Sequence, residues 1–200
     1  VWTLPNLLSI FRIALVPPLV YFLTFPDPLS SAIAASIFLL GSITDYLDGY
    51  LARRNRSVSE VGKILDPIAD KVFVVATLIM LAAMDRPGAG VPAWLVVTIV
   101  ARETAVTLIR GIALTDGIVM ESEDGGKYKL LLQVFALSGL ILHYPYAGID
   151  FYAAGMYFLV IATVMALWSG LQVHLQFVRL LRQKKTPAGR MKIDKRADLR

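Results

Sequence analysis

An all-α fold, a polytopic membrane protein with about six transmembrane helices, is what this sequence predicts, and three observations predict it. Of 200 residues, 56% are hydrophobic and only 18% charged, at a mean hydropathy of +0.64. The hydrophobic residues come in blocks that are apolar all round, at 32–40, 72–84 and 130–142, where a soluble helix keeps one polar face. Basic residues gather in every second connection. Lipid, not water, is the solvent such a chain fits.

The elements follow in order. A bilayer core about 30 Å thick takes roughly 20 helical residues per crossing. The first run, 7–23, stops before Pro26 and Pro28; the second covers 29–51. The third, 63–84, is closed by Pro87 and Gly88, and the fourth covers 92–114. Gly125 and Gly126 precede a short fifth run, 128–143, and Pro145 with Gly148 separate it from the last, 151–171. That helix is expected to continue past the membrane to Arg182. The opening residues read as the first span and not as a cleavable leader.

Charge sets the orientation. With both termini cytoplasmic, Arg53, Arg54, Arg56, the 116–129 stretch and the tail all lie inside. The outer connections then hold one basic residue, Arg86. Residues 1–184 are read as a single membrane-embedded catalytic domain, and 185–200 as a basic cytoplasmic tail. The absence of Cys excludes disulfides and thiolate zinc sites. The net charge of +5 suits an anionic membrane surface better than nucleic acid.

The stretch that carries chemistry is acidic. Asp45 and Asp48 are three apart and Asp66 and Asp70 four apart, so each pair shares a helix face. A short connection makes the second and third helices antiparallel. In that register Asp45 stands level with Asp70, Asp48 with Asp66, and Arg53 with Gly62. Asp45 and Asp70 are each eight residues from Arg53 and Gly62, about 12 Å along the helix. Four ionised carboxylates at one depth repel, and each costs several kcal/mol or so to desolvate. They are protonated, paired with cations such as Lys63, Lys71 and Arg53, or bound to metal. Oxygen ligands favour Mg²⁺ or Mn²⁺, and two such ions cancel four charges. Gly49 and Ala52 leave room between the helices, and first-turn N–H groups at Gly62 suit a phosphate.

The string from Asp45 to Asp70 fits D-x2-D-G-x2-A-R-x8-G-x3-D-x3-D and resembles the signature of the CDP-alcohol phosphotransferase family. The resemblance implies a six-helix membrane fold, usually homodimeric, in the cell (inner) membrane with its site open to the cytoplasm. By position, Asp45, Asp48, Asp66 and Asp70 match the family's ligands for two divalent cations, and Asp70 its general base. Gly49, Ala52, Arg53 and Gly62 match residues that hold the CDP part of a CDP-diacylglycerol. Leu4-Pro5-Asn6, Ser9 and Arg12, with Arg102-Glu103, Arg110, Gly126-Lys127-Tyr128-Lys129 and Gln133, resemble the branch that uses glycerol 3-phosphate. Leu130 departs from it, standing where that branch commonly has Thr. An acceptor carrying a phosphate needs fixed cations, and Arg102, Arg110, Lys127 and Lys129 supply them, unless they serve as membrane anchors or pair with Glu103.

Other readings stay open. Within the family the acceptor is alternatively phosphatidylglycerol, inositol phosphate or serine. From another class, a divalent-cation transporter would need a polar path to the far side, and 32–40 and 72–84 are apolar. His143, His174, Trp2, Trp94 and Trp168 read as interfacial or packing residues.

Overall fold

The computed structural model describes residues 4–55, 60–84, 90–115, 126–146 and 148–184, with backbone alone at 4–5, 48–55, 60–67, 126–130, 146 and 183–184. Six helices are present among them: α1 (Leu4–Leu23), α2 (Pro28–Asn55), α3 (Glu60–Ala83), α4 (Ala93–Thr115), α5 (Gly126–Leu142) and α6 (Phe151–Lys184). Each corresponds to one expected run. Among the described residues, stretches of α1 (Asn6–Leu23), α2 (Pro28–Leu47) and α6 (Phe151–Arg182) are long and apolar enough to cross a membrane. Leu131–Leu142 of α5 is a shorter apolar helix. Arg102, Glu103 and Arg110 interrupt α4, and the side chains of α3 are described only from Ile68.

Local chemistry places the boundaries. Asp27 caps α2, its Oδ2 accepting from the Ser30 N–H at 2.8 Å, and Pro28 takes the first helical position, where no N–H is needed. Asp150 caps α6 in the same way, accepting from the Ala153 N–H at 3.0 Å. At the end of α5, His143 turns the chain with a φ of 35° while its N–H still donates to Gly139 O. A two-residue antiparallel bridge follows, β1 (Pro145–Tyr146) with β2 (Ile149–Asp150), turned through Gly148 at φ 78°. The sequence reading put only breakers there. Pro17 and Pro18 sit inside α1 and withhold donors from the Ile13 and Ala14 carbonyls, a loss that transmembrane helices tolerate.

Hydroxyls in the helices turn inward on their own backbone. Ser36, Ser42 and Thr77 each donate to the carbonyl four residues back, and Thr44 to the one three back. Large side chains such as Leu29, Trp94, Leu114 and Trp168 stand exposed, as a lipid solvent allows.

The chain gathers into two compact units, Val1–Val96 with Leu132–Leu159, and Val97–Leu131 with Val160–Arg200. In the first, α1 packs along both α2 and α3. Leu19, Leu23, Phe38, Phe73, Leu78, Leu137, Leu140 and Ile141 fill its core. Gly139 and Gly155 bring α5 and α6 to backbone contact: a Cβ on Gly155 would lie 2.7 Å from Leu140 N and 2.9 Å from Ala136 O. Two phenols tie the loops, Tyr144 donating to Pro26 O at 2.6 Å and Tyr152 to Gly90 O at 3.0 Å. In the second unit, Ile99, Val106 and Ala113 recur every seventh residue on α4, and Ala162, Ala166 and Val173 are buried on α6.

Candidate active site

The acidic motif lies on two unbroken helices. Asp45, Asp48, Gly49, Ala52 and Arg53 are all in α2, and Gly62, Asp66 and Asp70 in α3, with Gly62 in the first turn. The spacings three and four therefore do place each acid pair on one helix face. The side chains of Asp48, Arg53 and Asp66, with those of Lys127 and Lys129 at the start of α5, lie outside the described ones. Asp45 and Asp70 are described, and both are half-buried.

The register of the hairpin can be read one turn from these acids. Gly41 of α2 meets the Phe73 ring of α3, and Phe73 stacks on Phe38 with centroids 5.5 Å apart and planes 5° from parallel. The register that levels Asp45 with Asp70 pairs Phe73 with Ser42, the neighbour of Gly41. Packing and sequence agree to one residue. The absence of a side chain at Gly41 lets the ring in, because an added Cβ would lie 2.7 Å from Phe73 Cε1 and nearer still to Cζ.

Asp45 has a partner that sequence reasoning missed. Arg12 of α1 places Nη1 2.8 Å from Asp45 Oδ1, with the arginine side chain 1% exposed and the aspartate 26%. The contact is an ion pair by charge and distance, although the Nη1 proton is not directed closely enough at the oxygen to count as a hydrogen bond. Of the cations considered from sequence, the side chains of Lys63 and Arg53 lie outside the described ones, and Arg12 is a partner beyond that set. A signal was present: Asn6, Ser9 and Arg12, all buried, recur every third residue on an otherwise apolar helix. Such a stripe marks the side of α1 that faces protein and not lipid.

In the second unit, Arg102 is held on three sides. Its Nε donates to Ala166 O at 2.7 Å, Nη2 to Ser169 Oγ at 3.1 Å and Nη1 to Glu103 Oε1 at 2.7 Å. Its side chain is 9% exposed. Gly170 makes the approach possible, since a Cβ there would come within 3.2 Å of Arg102 Nε. The Glu103 pairing expected as the alternative is thus present, joined by two α6 partners that sequence did not suggest. Arg110 is exposed, two turns further along α4.

The donor set suits a hard divalent ion in kind, being carboxylate oxygen. Among the described residues no group of three or more His, Cys, Asp or Glu gathers, and two of the four motif acids fall outside that set. His143 lies against Tyr144, ring centroids 4.1 Å apart and planes tilted by 40°, and His174, Trp94 and Trp168 are exposed, consistent with interfacial roles. Trp2, the acidic 116–124 stretch and the 185–200 tail lie outside the described residues.

Known proteins resemble this chain over most of its length. Residues 2–168 match the profile of the CDP-alcohol phosphatidyltransferases. A CDP-diacylglycerol–glycerol-3-phosphate 3-phosphatidyltransferase of Bacillus subtilis is 35% identical, covering 84% of this chain and 92% of that protein. Proteins of the same name from Rickettsia bellii and Haemophilus influenzae are 40% and 33% identical, over 70% and 86% of this chain and 75% and 91% of their own.

Proposed function

This chain belongs to the CDP-alcohol phosphatidyltransferase family, and on that premise we propose that it transfers a phosphatidyl group from CDP-diacylglycerol to glycerol 3-phosphate, forming phosphatidylglycerophosphate and releasing CMP. The observation that carries the reading is the complete eight-position motif on two unbroken helices whose packing at Gly41 and Phe73 follows the register that levels the acids. Names of relatives spanning most of both chains support the acceptor.

In this mechanism the acceptor hydroxyl oxygen attacks the lipid-side phosphorus in line. The new P–O bond forms as the bond to the CMP phosphate breaks, and CMP leaves with that electron pair. Asp70 takes the hydroxyl proton on a carboxylate oxygen, within hydrogen-bond reach of the attacking atom. Asp45, Asp48, Asp66 and Asp70 would hold two divalent cations, Mg²⁺ or Mn²⁺, whose charge would neutralise the diphosphate and the leaving phosphate. Gly49, Ala52, Arg53 and Gly62 seat the CDP part, while Arg102, Arg110, Lys127 and Lys129 orient the acceptor phosphate. The same reading puts six crossings in the inner membrane, both termini and the site on the cytoplasmic side, and two copies in a homodimer. It also keeps 1–184 as one catalytic domain.

A second acceptor is worth carrying because Arg102 is already engaged by α6 and Glu103. Purified protein with Mg²⁺, CDP-diacylglycerol and a panel of glycerol 3-phosphate, phosphatidylglycerol, inositol phosphate and serine decides it by CMP release. Release with phosphatidylglycerol alone moves the assignment to cardiolipin synthesis. Asp70→Asn is expected to lose almost all turnover while retaining CDP-lipid binding; near-normal rates would remove Asp70 from the role of base.

A further inference from the structure

The described half of the acid cluster contains a cation that the motif does not include. Arg12 is sealed, at 1% exposure, at the end of a buried polar stripe with Asn6 and Ser9, whereas Asp45 keeps a quarter of its surface open. Packing alone would be served better by Leu or Met at that position, because a buried guanidinium must be met by an anion. The pair is also lopsided: the arginine sits behind the carboxylate, at Oδ1, and the exposed part of the group is the aspartate. Since α1 packs along both α2 and α3, it carries this charge to the two helices that bear all four acids.

We propose that Arg12 is a positioning residue that serves as a resident counter-charge for the acid cluster, holding Asp45 from behind and keeping the grip on divalent cations moderate. The inference rests on the reading of Asp45 as a metal ligand. Charge balance favours it. Four carboxylates and two divalent cations cancel, and the two charges of an incoming diphosphate then call for two fixed cations. Arg12 and the motif's Arg53 are suited to that part. A guanidinium on a ligand oxygen withdraws negative charge from it, so its removal strengthens the attraction between the cluster and a cation.

The test uses full-length protein in detergent, with Mn²⁺ binding read by electron paramagnetic resonance and unfolding read with and without Mg²⁺. Arg12→Met is expected to bind Mn²⁺ about three- to tenfold more tightly than the parent. Its gain in Tm on adding Mg²⁺ is expected to be larger, as linkage requires, while turnover falls. Arg12→Lys keeps the charge and is expected to restore parental Mn²⁺ affinity. Unchanged or weaker Mn²⁺ binding in Arg12→Met, with the same Tm loss in both conditions, reduces Arg12 to a staple between helices and overturns the proposal. Should Arg12→Met fail to fold, Asp45→Asn and Asp45→Asn/Arg12→Gln replace it. Tighter Mn²⁺ binding by Asp45→Asn/Arg12→Gln than by Asp45→Asn supports the counter-charge, and equal binding by the two overturns it. Absence of any Mn²⁺ binding by the parent sinks the metal-site reading itself, a result distinct from parental binding that Arg12→Met leaves unaltered.

Discussion

Gly41→Ala is the sharpest probe of how the hairpin is built. The added methyl would lie 2.7 Å from Phe73 Cε1 and closer to Cζ, where carbon atoms rest about 3.5–4.0 Å apart. The ring must retreat by about 1 Å or more. A free phenyl tip would swing aside, but Phe73 is buried and stacked on Phe38, so α3 moves with it. Overpacking of this kind costs about 1–3 kcal/mol. For a chain of this size that lowers Tm by roughly 2–10 °C. Gly41 is one turn from Asp45, and Phe73 less than one from Asp70, so the displacement reaches the acids nearly undiminished. Misplacement by about 1 Å costs up to about a hundredfold in rate. Differential scanning fluorimetry and CMP release measure the two effects. Phe73→Leu on top of Gly41→Ala shortens the intruding group and is expected to recover part of both. A Gly41→Ala protein with parental Tm and turnover would refute the register, and with it the argument for level acids.

Gly155→Ala is expected to be at least as damaging to Tm, because the three nearest atoms its methyl meets are all α5 backbone; Gly111→Ala, whose methyl meets nothing within 4 Å, is expected to stabilise by about 0.5–1 kcal/mol. Arg102→Ala removes two charge-assisted bonds to α6 and the pairing with Glu103, a loss of about 2 kcal/mol seen in thermal unfolding, while Ser169→Ala loses about half as much and leaves acceptor KM alone. A rise in acceptor KM with Arg102→Ala beyond that instability marks it as an acceptor cation; none marks it as a helix tie. Asp27 has its pKa lowered from 3.8, chiefly by hydrogen bonds from Ser30. Its contribution is therefore complete above 3.8 and disappears as pH falls through the lower folded value, and Asp27→Asn, which still caps, should flatten that acid limb of Tm against pH.

What was legible in the sequence was what depends on the solvent and on spacing along one helix. Runs that are apolar all round favour long helices, so six helices were found in place, stretches of three being long and apolar enough to cross a membrane among the described residues, with α2 starting within one residue at Asp27-Pro28. The antiparallel register needed only a short connection, and Gly41 against Phe73 bears it out to one residue. What was hidden depends on how helices are rotated about their own axes. A nearly uniform apolar helix gives little sign of its buried side, so the pairing of Arg12 with Asp45 went unread. Arg102 was legible as a cation, but its α6 acceptors depend on the notch at Gly170, sixty-eight residues away. The bridge between β1 and β2 is two residues long, too short for alternation to announce it.

The two tyrosine hydroxyls have a consequence for biogenesis. Pro26 and Gly90 leave the ribosome well before Tyr144 and Tyr152, so the carbonyls they tie wait for donors made late in translation. The early helices can pair as separate hairpins, and their loops are fastened only when the final pair of helices arrives. Truncation after α4 would then release a protein inserted yet unlaced, recognisable to a membrane protease by those open turns.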